Sequence, residues 1–181
     1  MGMSTLVRNL ALVAGLSFLT STLAAQENKI DAPNVVAISP SLTTSGQPTA
    51  QALAHLKEQA YEAVIYLAPP TVSDAVKEES VLLAKQGIEF INIPIVFSSP
   101  SEADFQEFVR HMQRLGQRKI LVHCQINMRA SSMVFLYRSI ILKDAPDKAY
   151  ESVIRVWSPQ GAWRELITAQ LRKHEIEFKP Y

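Results

Sequence analysis

The sequence contains a single cysteine, Cys124, among its 181 residues. One cysteine cannot form a disulfide within the chain, so the fold has to be held together by a hydrophobic core. An excess of charge of one sign is also missing, because 18 basic residues stand against 17 acidic residues. This balance gives no electrostatic support for a nucleic-acid partner or for an anionic membrane.

An apolar run at the N-terminus predicts that the protein is exported. Arg8 comes shortly before LALVAGLSFLTSTLAA, which ends in small residues. This order predicts a secretory signal peptide over residues 1–25, cleaved after Ala24 or Ala25. A retained membrane anchor is the alternative, although the run is shorter than the roughly 20 residues needed to span a bilayer. We therefore expect a periplasmic or secreted protein without stable membrane association once the leader is removed.

The remaining residues, 26–181, have the length of one domain with its own core. No internal repeat, low-complexity tract or long linker divides them. Without the leader the chain has 17 basic and 17 acidic residues. His55, His111 and His174 fall on three separate predicted helices without the spacing of metal ligands, so we expect no metal site.

Strand and helix patterns alternate along this domain. We expect strands at residues 34–42, 62–68, 88–96 and 119–123, with turn residues at 43–48. Helices are expected after Thr49, at residues 73–85, from 99–102 to Gly116, and at residues 130–142, 147–157 and 158–174. Pro94 indicates that its strand ends at an edge or leaves the sheet. The alternation predicts an α/β fold with a largely parallel central sheet flanked by helices.

The stretch ILVHCQINMRASSMVFLYR, residues 120–138, places Cys124 between an apolar strand and an apolar helix. In open α/β sheets, ligands bind where the carboxyl ends of strands lead into helices. Backbone N–H groups of residues 125–129 could surround an anion there, and the positive end of a helix favours a reactive thiolate. Arg129 could hold two anion oxygens, and Asn127 is the candidate for a left-handed residue. The alternative is that Cys124 is an inert residue ending a buried strand.

HCQINMRAS resembles the catalytic loop of the cysteine-dependent protein tyrosine and dual-specificity phosphatases, in which His-Cys is followed by five residues, Arg, and Ser or Thr. ISPSLTTSGQPT, EAVIYLA and INIPI are similar to strands of bacterial phosphatase-like domains, including those fused to β-lactamase-like hydrolases. The resemblance implies a three-layer sandwich over residues 26–181 and a phosphatase reaction without a cofactor. In that reaction Cys124 attacks phosphorus, Arg129 holds the oxygens and Ser131 assists the departing sulfur. The anion-binding loop would comprise His123, Gln125, Ile126, Asn127, Met128 and Ala130.

Two features depart from the phosphatase pattern. Only four residues separate Cys124 from Arg129, and Ala130 occupies the usual arginine position. The shorter loop is shared with fused bacterial relatives, but it also resembles rhodanese-like sulfurtransferases, whose smaller cradle suits a persulfide. No Asp directly follows INIPI, so Asp104 is a candidate general acid, with a charge at a helix N-terminus as its alternative explanation.

Three functions therefore remain open from the sequence. They are a phosphatase, a sulfurtransferase that carries a persulfide on Cys124, and a non-catalytic oxyanion-binding domain. For either enzyme the expected partner is a phosphorylated or sulfur-carrying small molecule or protein.

Overall fold

The structure, a computed structural model, describes residues 1, 2 and 30–181. Apart from its first two residues, the predicted signal peptide lies outside the described residues, as does its cleavage site, so both stay predictions. Within the described residues, no helix is both long enough and apolar enough to cross a membrane.

The described chain alternates strands and helices before ending in helices. The strands are β1 Val36–Ser39, β2 Leu42–Ser45, β3 Ala63–Tyr66, β4 Glu89–Asn92 and β5 Ile120–His123. The α-helices are α1 Ala50–Leu53, α2 Glu79–Ala84, α3 Glu102–Leu115, α4 Met128–Ile140, α5 Pro146–Ile154 and α6 Gly161–Lys173. A 3₁₀-helix at Leu56–Gln59 follows α1.

The five strands form one sheet in the order β1-β2-β5-β3-β4. Only β1 and β2 run antiparallel, while β2 with β5, β5 with β3, and β3 with β4 are parallel. The expected largely parallel sheet is therefore confirmed. Because β5 is the central strand, the residues that follow it lie in the middle of the carboxyl edge, where ligands bind in such sheets.

Helices cover both faces of the sheet and form two hydrophobic clusters. In β3, Ala63 and Ile65 contribute to the larger cluster, with α3, α4, α5 and α6. Val64 points to the opposite face and joins the smaller cluster, which includes Leu53 and Leu83 of α1 and α2. This alternation follows from the two-residue period of a strand, and it confirms the expected three layers. Burying an apolar side chain of this size contributes about 1.5–3 kcal/mol.

The first predicted strand is wrong in its extent. Instead of one strand at 34–42, the chain turns at Pro40 and Ser41, and residues 42–45 return as β2. The residues expected to form a turn, Thr43 to Ser45, are buried strand residues paired with β5. The polar composition of these residues suggested a turn, but threonine also fits a strand well. Pairing with the neighbouring strands on both sides makes this segment a strand.

Several predicted helix boundaries also differ from the structure. Helix α2 begins at Glu79 rather than 73, and α4 begins at Met128, two residues earlier than expected. Helix α3 begins at Glu102 with Ser101 as its N-cap, within the expected range of 99–102. Thr49 does cap α1, accepting from the Ala52 N–H at 3.1 Å, although this helix is only one turn long. Strand β4 lies at the edge of the sheet, as Pro94 indicated, but it ends at Asn92 rather than at residue 96.

Candidate active site

Cys124 directly follows β5, and Arg129 lies in the first turn of α4. The N–H of Cys124 donates to the Ser45 carbonyl at 3.3 Å, and the cysteine side chain is 0% exposed. Arg129 is 4% exposed, which is unusual for a charged residue. The fold thus brings both predicted residues to the ends of one short loop at the carboxyl edge of the sheet.

Asn127 adopts the left-handed conformation that the sequence predicted, with φ of 72°. Its Nδ2 donates to the Asn34 carbonyl at 2.6 Å and to Thr44 Oγ1 at 3.0 Å. In return, Asn34 Nδ2 donates to the Ile126 carbonyl at 3.0 Å. These bonds fasten the loop to the segment before β1 and to β2, so the loop shape is determined largely by residues more than 80 positions away.

Gly46 allows the backbone after β2 to approach the loop closely. A Cβ at this position would lie 2.7 Å from the Gln125 carbonyl oxygen and 2.8 Å from Pro33 Cβ. The neighbouring Gln47 N–H donates to the same Gln125 carbonyl at 2.9 Å. Only glycine fits here without displacing one of these groups. The close approach of the two segments, rather than a positive φ, therefore explains the glycine at position 46.

The Arg129 side chain is held by neutral groups. Its Nε donates to the Ile95 carbonyl at 3.0 Å, and Nη1 donates to Gln125 Oε1 at 3.4 Å. The guanidinium carbon lies 5.0 Å from the centre of the Phe97 ring. Among the described residues, no carboxylate forms an ion pair with it. A positive charge in a first helical turn opposes the helix dipole, so this buried charge calls for an anionic ligand.

His123 belongs to a buried polar cluster beneath the loop. Its Nε2 lies 2.7 Å from Glu79 Oε1, and Gln47 Nε2 donates to Glu79 Oε2 at 3.0 Å. The Tyr66 ring stacks on the imidazole with centroids 4.7 Å apart. Sequence reasoning missed Glu79, because nothing in the sequence pairs an acidic residue with a histidine 44 positions away.

Tyr66 shows that several charged groups converge on this site. Burial raises the pKa of its phenol, and the negative charges of Asp74, Glu79 and Cys124 raise it further, while the positive charge of Arg129 lowers it. The phenol is therefore neutral at physiological pH. Its hydroxyl donates to the Pro69 carbonyl at 3.5 Å.

The hydroxyl-bearing residues after Arg129 are turned toward the helix backbone. Ser131 Oγ donates to the Met128 carbonyl at 3.2 Å, and Ser132 Oγ donates to the same carbonyl at 2.9 Å. Ser131 and Ala130 are both fully buried behind the loop. The assisting role of Ser131 stays a prediction.

The predicted acid Asp104 takes part in the cap of α3. Its Oδ2 accepts from the Ser101 N–H at 2.8 Å and from Ser101 Oγ at 2.7 Å, while its own N–H donates to Ser101 Oγ at 3.2 Å. This reciprocal arrangement is a capping box, the structural explanation that the sequence left as an alternative. The role of Asp104 as general acid stays a prediction.

A second acidic residue, Asp74, lies beside the loop and was missed by the sequence reasoning. Its Oδ1 accepts from Gln125 Nε2 at 2.8 Å. Asp74 falls in the segment between β3 and α2, which the sequence suggested was helical. No group of three potential metal ligands occurs within the described part of the chain.

Comparison with known families accounts for this arrangement. Over residues 8–170 the sequence matches the family described as DSP-PTPase phosphatase fused to NAD+ kinase. The chain belongs to this family. It is therefore a tyrosine-phosphatase-like hydrolase, and the predicted resemblance to cysteine-dependent tyrosine and dual-specificity phosphatases is confirmed. No curated protein sequence matches the chain significantly.

Solved structures of this phosphatase superfamily share the fold. A provisionally assigned phosphatase from Shewanella putrefaciens is 26% identical, with a TM-score of 0.73 over 79% of this chain and 92% of that one. TpbA from P. aeruginosa is 20% identical, with a TM-score of 0.58 over 78% and 84% of the two chains. The core catalytic domain of a PP-IP phosphatase from S. cerevisiae is 15% identical, with a TM-score of 0.64 over 81% and 88%.

Proposed function

We propose that this protein is an exported phosphatase that hydrolyses phosphate monoesters through a phosphocysteine on Cys124. The observation that carries the proposal is the short loop between β5 and α4. It has Cys124 at one end, the unneutralised Arg129 at the other, and the left-handed Asn127 between them. This arrangement provides a nucleophile and an anion site in one turn of chain.

In the proposed first step the Cys124 thiolate attacks phosphorus and the ester oxygen leaves. Arg129 and the free N–H groups at the start of α4 stabilise the charge on the phosphoryl oxygens, because the first N–H groups of a helix have no acceptor within it. In the second step water attacks the phosphocysteine and releases phosphate and the thiolate.

The buried state of Cys124 places a requirement on this mechanism. Since the cysteine is 0% exposed, side chains at the loop have to move when substrate enters. The contact between Arg129 Nη1 and Gln125 Oε1, at 3.4 Å, is longer than the bond from Arg129 Nε to the Ile95 carbonyl, at 3.0 Å. A phosphate group replaces this neutral acceptor with a charged one, which forms a stronger bond with a guanidinium.

The surroundings of Arg129 support an apolar or aromatic leaving group. Phe97, whose ring lies against the guanidinium, is 38% exposed. Its neighbour Val96 and the loop residue Ile126 are 55% and 45% exposed. We propose that a phosphorylated small molecule or protein places an aryl group against this apolar border. Periplasmic or secreted localisation is part of the proposal, and it is supported by the N-terminal run in the sequence.

The test is hydrolysis of p-nitrophenyl phosphate by the mature protein under reducing conditions. Cys124→Ser and Arg129→Ala should each lower kcat/KM about 10³-fold or more, as expected when members of a catalytic unit are removed. Arg138→Ala is the matched control, because Arg138 lies on the same helix but bonds to Asp144 at 2.8 Å. It should retain the activity of the unchanged protein.

Mass spectrometry of the acid-quenched reaction should detect phosphate on the peptide that contains Cys124. Turnover that survives in Cys124→Ser would contradict the mechanism. If phosphate esters are not hydrolysed but thiosulfate produces a cyanide-labile persulfide on Cys124, the protein is a sulfurtransferase instead. Export is tested separately, by N-terminal sequencing of the protein recovered from the periplasm or medium. A chain that still begins at Met1 would contradict cleavage after Ala24 or Ala25.

A further inference from the structure

Asp74 is linked to the anion-binding residues by one amide side chain. Gln125 Nε2 donates to Asp74 Oδ1 at 2.8 Å, and Gln125 Oε1 accepts from Arg129 Nη1 at 3.4 Å. Asp74 is exposed, so its carboxyl group lies at the outer side of the loop rather than beneath it. An exposed carboxyl group beside the loop can exchange its proton with solvent.

The charge on Asp74 also reaches the buried side of the site. It raises the pKa of the Tyr66 phenol, as do the charges of Glu79 and Cys124. Asp74 and Cys124 therefore act on the same hydroxyl group, although Gln125 provides the only side-chain hydrogen bond from the loop to Asp74 in the described chain.

The other nearby acids are already engaged. Glu79 is buried and bonded to both His123 and Gln47. Asp104 caps α3, and Glu102 forms an ion pair with Lys173. The segment 93–101, which contacts Arg129 through a carbonyl and a ring, contains no acidic residue.

We propose that Asp74 is the general acid and base of the Cys124 reaction, an inference that rests on the proposed phosphocysteine mechanism. As the S–P bond forms and the P–O bond to the leaving group breaks, the protonated carboxyl of Asp74 gives its proton to the departing oxygen. The carboxylate then takes a proton from the attacking water as the new P–O bond forms and the S–P bond breaks. The thiolate and the protonated carboxyl are regenerated, so the two steps balance without any cofactor.

The test compares leaving groups that need a proton to different degrees. The kcat/KM of p-nitrophenyl phosphate and of phenyl phosphate is measured across pH for the unchanged protein, Asp74→Asn, Asp74→Glu and Asp104→Asn. Phenolate is the more basic leaving group and depends more on a proton donor. Asp74→Asn should therefore lower kcat/KM about 10²-fold or more for phenyl phosphate, and by a smaller factor for p-nitrophenyl phosphate.

The pH profile separates catalysis from a structural role. A required general acid makes kcat/KM fall at alkaline pH, and this fall should be absent in Asp74→Asn. Asp74→Glu keeps a carboxyl group, so it should recover part of the rate and show the alkaline fall again. Asp104→Asn tests the competing acid, and the selective loss with phenyl phosphate is expected in Asp74→Asn rather than in Asp104→Asn.

The outcomes distinguish this inference from the proposed function. If the unchanged protein hydrolyses both esters through Cys124, but Asp74→Asn keeps the same substrate ratio and pH profile, Asp74 is not the acid and only this inference fails. The same conclusion holds if Asp104→Asn shows the selective loss. If the unchanged protein hydrolyses neither ester, the proposed function fails and the assignment of Asp74 fails with it.

Discussion

Glu79 Oε1 lies 2.7 Å from His123 Nε2, and both side chains are buried. Glu79 comes from the start of α2, whereas His123 ends the central strand. The contact therefore connects one covering layer to the middle of the sheet. It also holds the imidazole ring of His123, the residue that precedes Cys124, in one position.

Removing the Glu79 side chain should destabilise the protein more than breaking any single surface ion pair. Glu79→Ala leaves His123 and Gln47 buried without their shared acceptor, and each buried donor left unsatisfied costs about 1–3 kcal/mol. Glu79→Gln keeps a hydrogen-bonding group of the same size, so it should lower the free energy of unfolding less than Glu79→Ala does. Urea denaturation measures both free energies of unfolding. Lys148→Ala, which removes an exposed pair, is the control and should change little. An equally small change in Glu79→Ala would refute the prediction.

Substitutions of Asn127 should separate backbone strain from lost hydrogen bonds. Asn127→Gly keeps the left-handed conformation but loses the bonds to Asn34 and Thr44, each contributing about 0.5–1.5 kcal/mol. Asn127→Ala loses the same bonds and adds a left-handed penalty of about 1–2 kcal/mol. The free energy of unfolding, measured by urea denaturation, should be highest for the unchanged protein, lower for Asn127→Gly and lowest for Asn127→Ala. If Ala is as stable as Gly, residue 127 does not keep its left-handed backbone.

Gly46→Ala should impair the site more than it impairs the fold elsewhere. The added Cβ would push on the Gln125 carbonyl and displace the loop between Cys124 and Arg129, so KM for p-nitrophenyl phosphate should rise. Gly87→Ala is the control, since Gly87 has φ of 68° but open space around it. It should lower stability through backbone strain and leave KM unchanged. Unaltered kinetics in Gly46→Ala would show that the neighbouring segment moves instead of the loop.

Glu89 should make a pH-dependent contribution to stability. A hydrogen bond from Arg114 lowers the pKa of this carboxyl, and Arg118 lowers it further. A lowered pKa in the folded state means that the contribution is fully present above the ordinary carboxyl pKa and disappears as the pH falls through the folded value. Glu89→Gln should therefore be slightly less stable than the unchanged protein near neutral pH, and equally stable in strong acid. The comparison is made by denaturation at both pH values. A difference that persists in acid would assign the effect to packing.

Local sequence patterns were sufficient for the parts of the site that lie close together in the chain. An apolar strand, a cysteine and an apolar helix predicted the β5–α4 junction, because strand and helix periodicity are local properties. The same stretch predicted the left-handed Asn127, since Asn tolerates that backbone region better than its neighbours do. The fold class followed from the order of strands and helices.

Tertiary structure alone decided which distant residues meet this loop. Thr43 to Ser45 have the composition of a turn, and they form a buried strand only because β1 and β5 pair with them on either side. Glu79 and Asp74 lie 44 and 51 residues from their partners His123 and Gln125. Such contacts depend on how the layers pack, whereas secondary-structure patterns extend over only a few residues. The sequence by itself therefore determined the fold class and the cysteine loop, while packing determined the acidic groups around it.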